Sequence, residues 1–412
     1  MSSSFTWLDF SEYERRKALE VIHWFKEQDT RDELGVGSIR DAFSDLLFPG
    51  TSTIQTRVRY FLFVPWTYLG LERRRTAADA FGERARQAEI KLIDALRRGG
   101  EDLGVIGILA GARLARVPSN VYWNGLARWG IRLYPGSQFN YHRAAQLSWS
   151  LRDAPEVRGD DGDLATDLSL RNWHPGLPPP PPGFPDAPLQ FSLTAVESTY
   201  LRERILATAP ASLLAFLVRQ ELDADEDVQF AWMHPDFAEF PATNKEQLVH
   251  AERFSTVMHG AALLYNLLLA EADHRAELAS EYRTQFGTWA GEVVQLQDRL
   301  GDWDLARFWT IVSRAGAPIA FRARLFVQDW VSQVRRAHGS DALIDENAAR
   351  QLIASRERAL KGPQARLQNA RALELWSGAA GTGRLNYRWP VAQRMVHEIV
   401  AGLPVHTEAA SA

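Results

Sequence analysis

Five consecutive prolines, Pro178 to Pro182, constrain this chain more than any other stretch. Each fixes φ at about −65° and lacks an amide donor, so the run must be polyproline II and can be neither helix nor central strand. It closes a change of texture: PEVRGDDGDLATDLSLRNWHPGLPPPPPGFPDAP, Pro155 to Pro188, is acidic first and then proline-rich. The segment 153–190 therefore reads as a connector between an N-terminal region, 1–152, and a C-terminal one, 191–412. Trp173, His174 and Phe184 flank the prolines, and aromatics beside such a rod pack against it, so a stiff connector laid on the surface is expected. The alternative is a proline-rich docking ligand for a partner domain.

Helix signals dominate on both sides. Ser11 with Glu14 forms a capping box for an amphipathic helix from Ser11 to Gln28, and Ser38 with Asp41 opens a second helix that Pro49-Gly50 ends. The dense apolar run Tyr60 to Trp66 fits a buried strand or a buried helix; the spacing of Ile54, Val58, Phe61 and Leu62 favours helix. Thr76 to Arg98 reads as a solvated, charged helix. In the C-terminal region Thr194 with Glu197, Thr243 with Glu246, and Ser212 are cap candidates ahead of apolar-periodic stretches. The run Val257 to Ala270 is too short for a membrane span of roughly 20 residues, and reads as a buried core helix. Arg384 to Trp389 reads as a short strand before a last helix, Pro390 to Ala401. The fold class expected is mainly α: an N-terminal α(+β) domain followed by a C-terminal helical domain.

Charge is distributed unevenly. The 412 residues carry a net charge of −4, which gives no global attraction to nucleic acid or anionic membrane. Between Leu103 and Arg152, however, there is no Asp or Glu, whereas Arg113, Arg116, Arg128, Arg132, Arg143 and Arg152 all lie inside. Tyr122, Trp123, Trp129, Tyr134, Phe139, Tyr141 and Trp149 fall in the same window. Basic groups among aromatics are what phosphate neutralisation and base stacking need. The order of elements adds to this. Leu103 to Ala110 reads as a short apolar helix, Gly111 to Pro118 as a turn, and Ser119 as the cap of a helix to about Trp129. Arg132 to Arg143 then offers strand, Pro135-Gly136 turn, and strand, as a wing would. Residues 103–145 are thus similar to the recognition-helix region of winged helix-turn-helix domains. On that reading Leu126 and Trp129 face the core, while Ser119, Asn120, Asn124 and Arg128 face outward with Arg113, Arg116, Arg132 and Arg143 as the basic frame. The competing reading is a small aromatic core whose arginines snorkel to the surface.

Other chemistry is sparse. With no cysteine, disulfides, thiolate nucleophiles and Cys-ligated metal sites are excluded, and the absence fits a reducing cytoplasm. No His-Glu-x-x-His, Gly-x-Ser-x-Gly or phosphate-loop motif occurs. Asp79, Glu89 and Lys91 have the spacing of a metal-dependent nuclease site but lie in a helical stretch. Gly35-Val36-Gly37-Ser38 could present amides to a phosphate, and His234-Pro235-Asp236 reads as loop structure. No catalytic residue, metal site or cofactor is expected.

The segments WLDFSEYERR, DELGVGSIRDAFSDLLFPGTSTIQTRVRYFLFVPWTY, RVPSNVYWNGLARWGI and NWHPGLPPPPPGFP resemble a bacterial family of unknown function of about this length. The resemblance implies a cytoplasmic bacterial protein and an association with genomic defence islands beside helicases; it carries no catalytic residues. The leading expectation is a non-catalytic, DNA-interacting accessory protein of a bacterial defence or DNA-maintenance system, with no membrane partner. A helical scaffold that binds a protein partner, and a nuclease or hydrolase whose carboxylates converge only in the fold, are the alternatives.

Overall fold

The computed structural model describes residues 32–144, 171–223, 228–338 and 340–404; the expected helix from Ser11 to Gln28 lies outside them. The described residues are mainly helical, and their one β element is an isolated antiparallel bridge between Arg132 and Trp173. Among the described residues no helix is long and apolar enough to cross a membrane. The chain divides into two compact units: residues 1–43 with 246–387, and residues 44–245 with 388–412.

In the first unit, helix α1 (Gly37–Leu47) begins where the Asp32 carboxylate accepts from the amides of Val36 and Gly37, both at 2.7 Å. Asp32, not Ser38, is the cap, because a charged acceptor satisfies two orphan amides at once. Those are the amides a phosphate would need, so Gly35 to Ser38 holds its own side chain instead. The core element is α7 (Ala242–Ala272), whose Leu263, Leu264, Tyr265, Leu267 and Leu269 are buried. Helix α8 (Ala276–Gln295) comes close to it at Gly260, where an added Cβ would sit 2.2 Å from the Trp289 ring. Trp289 donates to the Thr256 carbonyl, and Trp330 of α11 (Phe321–Arg336) to that of Val257. Such donors let large indoles enter a core with no polar atom stranded. Helix α12 (Asn347–Lys361) brings in Glu357, which accepts from Tyr265 at 2.6 Å and from the amides of Arg366 and Leu367. Short helices α9 (Gln297–Gly301), α10 (Leu305–Ser313) and α13 (Ala370–Glu374) complete this unit. Since α7 opens right after Pro241, Thr243 lies inside its first turn and does not cap it, and Glu246 instead pairs with Arg307.

In the second unit α2 (Tyr60–Arg73) is buried on nearly every side from Tyr60 to Tyr68, and α3 (Ala78–Arg98) and α4 (Pro118–Arg128) pack on it. Trp66 of α2 donates to the Pro178 carbonyl at 2.7 Å, and Phe184 meets the rings of Phe63 and Trp66. Aromatic packing thus fixes the proline rod. Helices α5 (Ala195–Thr208), α6 (Leu213–Gln220) and α14 (Trp389–Ala401) pack on one another. The Thr194–Glu197 capping box and the Ser212 cap form as expected. No strand precedes α14: Tyr387 and Arg388 have φ of 54° and 67°, which no ladder accommodates.

The expected helix over Leu103 to Ala110 is a series of turns, because Gly104, Gly107 and Gly111 all take positive φ. The wing is absent as well. Arg132 makes the bridge to Trp173, and residues 138–144 are helical instead of forming a second strand. The α(+β) expectation for this region is therefore corrected to helix and turn.

Candidate nucleic-acid interface

Helix α4 begins with Pro118, whose fixed φ suits a first turn, and Asn120 reaches back to accept from the Val117 amide at 3.2 Å. It ends in a Schellman motif: Gly130, at φ 63°, donates to the Ala127 carbonyl, and Ile131 donates to that of Leu126. Between these ends the two faces separate cleanly. Val121, Tyr122, Gly125 and Leu126 point inward, and Trp129 stacks on Phe61 with centroids 3.8 Å apart while its indole donates to the Pro49 carbonyl. Gly125 is required for that approach, since a Cβ there would lie 2.4 Å from the Gly50 carbonyl oxygen. Asn120, Asn124, Ala127 and Arg128 are exposed, forming one stripe at helical spacing. Arg113 and Arg116, just before the helix, are also exposed, and so is Arg143, whose guanidinium lies over the Phe139 ring.

Two of the expected contact residues are turned inward. Ser119 is fully buried, and its amide and hydroxyl donate to the Glu89 carboxylate at 2.6 and 2.7 Å. Arg132 is buried too: it stacks on the Trp123 ring and donates to the carbonyls of Trp123, Tyr134 and Gly136. Its charge is spent on folding the loop after α4, because carbonyls left by the missing strand need a donor. Of the expected contact residues, Arg113, Arg116, Asn120, Asn124, Arg128 and Arg143 are exposed, whereas Ser119 and Arg132 are buried.

Beneath the stripe runs a polar chain that the sequence reading missed. Gln138 donates to both Ser119 Oγ and the Tyr68 hydroxyl, Tyr68 bonds His142 Nε2 at 3.1 Å, and Asn120 donates to Gln138. Burial pushes the Glu89 carboxyl up to about 7 against the two hydrogen bonds from Ser119, which lower it. Burial also lowers His142, so the ring that meets Tyr68 is neutral near pH 7. A signal for Glu89 was present: Phe81, Ala85, Leu92 and Leu96 set a buried stripe on α3, and Glu89 falls on it. The helical placement of Glu89, and its use by Ser119, remove it from any nuclease-like set with Asp79 and Lys91. Among the described residues no group of three or more His, Asp or Glu could hold a metal.

A family described as a family of unknown function (DUF6361) matches residues 1–402. No curated protein and no solved structure matches the chain.

Proposed function

Taking as premise that the chain belongs to the DUF6361 family of unknown function, we propose that it acts as a nucleic-acid-binding accessory protein whose contact surface is the outward stripe of α4. The observation that carries this reading is the pairing of exposed Asn120, Asn124 and Arg128 with Arg113, Arg116 and Arg143 in a window without a carboxylate. Arginines neutralise phosphates and release counterions, and asparagines reach base edges. Without a wing or a first helix, contact rests on α4 and the turn before it, which favours phosphate contact over extensive base reading. A setting in bacterial defence or DNA maintenance belongs to the same proposal.

Changing Arg113, Arg116, Arg128 and Arg143 together to Gln tests it, since all four are exposed and the fold should survive. Titration of duplex and single-stranded DNA across salt should show weaker binding and a slope reduced by about 0.9 per lost duplex contact. Asn124→Ala should change sequence preference more than affinity. Equal binding by wild type and the quadruple variant at every salt concentration would remove the reading.

A further inference from the structure

A cavity of about 540 Å³ opens in the first unit beside α7, α8, α9 and α11. Val257, Val293, Leu300, Trp303, Val331 and Val334 line its apolar body, and Asp302, Arg335 and His338 stand at its rim. Close-packed interiors leave few voids larger than a water molecule, whereas sites for small ligands run to about 300–1,000 Å³ with an apolar lining and a few placed polar groups. The rim arginine is fixed in position: Nε donates to the Leu300 carbonyl at 3.0 Å and Nη2 to that of Trp303 at 2.6 Å. Its Nη1 makes no hydrogen bond among the described residues. A second cavity of about 330 Å³ shares Val331, Arg335 and His338, so Arg335 lines both. The open donor on Arg335 calls for an acceptor, and an anionic one makes the stronger, charge-assisted bond. Asp302, the one carboxylate in the lining, is exposed, and Arg299, Asp302 and Arg335 each act electrostatically on Arg253.

We propose that this cavity binds a small molecule with an apolar body and a single carboxylate, the body among the valines and Trp303 and the carboxylate on Arg335 Nη1. The cavity is independent of the α4 stripe, so its fate says nothing about the nucleic-acid reading, and the reverse holds too.

Octanoate, octanol and octylammonium are the probes, each titrated calorimetrically into the full chain. Octanoate should bind at one site per chain, octanol about tenfold more weakly because the charge-assisted hydrogen bond is lost, and octylammonium more weakly still. Arg335→Met should bring octanoate down to the affinity of octanol and leave octanol unchanged, a difference that loss of packing alone would not produce. Val331→Trp, or Val334→Phe if tryptophan prevents folding, should abolish binding of all three. The wild-type ranking needs no variant: octylammonium equal to or tighter than octanoate, or no saturable binding below about 10 mM, overturns the proposal. Undiminished binding in the cavity-filling variant overturns the location.

Discussion

Midway along α3, Glu89 accepts from the amide and hydroxyl of Ser119, and burial raises its carboxyl from the ordinary 4.5 to about 7 against those bonds and the charge of Arg86. The folded value lies above the unfolded one, so the native state holds this proton more tightly. Its contribution to stability is full below about pH 4.5 and is lost as pH climbs towards about 7. A rise of that size corresponds to a loss on the order of 3 kcal/mol across the window. Glu89→Gln should flatten the profile: urea unfolding at pH 5 and at pH 8 should give a smaller difference in the variant than in the wild type. Equal differences would mean that Glu89 is ionised throughout. Ser119→Ala deletes one donor to the same carboxylate and should cost about 1–3 kcal/mol, with α4 its most sensitive element. The outward positions of α4 were legible because an amphipathic helix sorts its residues by spacing alone. Ser119 was not. Its type marks a helix start, and only the fold brings a carboxylate from α3, thirty residues away, to take both its donors.

Several helix starts and apolar runs could be read from sequence where the deciding atoms are close in the chain, although Ser38 and Thr243, equally local, do not cap. The Thr194–Glu197 box, the Ser212 cap and the Schellman end of α4 each close within six residues. The wing could not be read, because a strand at Arg132 exists only as far as Trp173 supplies a partner, and one bridge is all it supplies. Glycine decided the turns at residues 103–110, where the positive φ of Gly104 and Gly107, with Gly111 just after, outweighs the apolar pattern. Two tests belong to this scale. Leu263 is buried in the middle of α7, so Leu263→Ala should cost about 2–5 kcal/mol in urea unfolding, and a loss below about 0.5 kcal/mol would show that α7 is not core there. The proline rod is held by the Trp66 hydrogen bond and the Phe184 rings, so proteolysis between Arg171 and Leu189 should be slow. Trp66→Phe keeps an aromatic ring but loses the indole donor, and should speed that cleavage.

At the scale of the whole chain, residues far apart in sequence close each unit. The second unit takes its last helix, α14, from beyond residue 387, and α14 packs on α5 and α6. Trp389, Met395, Val396 and Ile399 are buried there, and Trp389 meets Phe48 and donates to the Val228 carbonyl. Glu398 bonds the Val58 amide at 2.7 Å and pairs with Arg57, fixing α14 to the turn before α2. Each large buried apolar side chain contributes roughly 1.5–3 kcal/mol, so four together are comparable to the roughly 5–15 kcal/mol that keeps a domain folded. A chain ending at Tyr387 should therefore lose the second unit even though residues 44–245 are intact. Hydrogen exchange is the measurement. Amides of α2 and α4 should lose protection in the truncated chain, and a synthetic peptide of residues 388–404 added in trans should restore part of it. Unchanged protection of α2 without α14 would show that residues 44–245 fold by themselves. The same truncation bears on the proposed contact surface through the turn before α2, where the Tyr122 hydroxyl of α4 accepts from the amides of Thr56 and Arg57, so the outward stripe of α4 should lose its order together with α14.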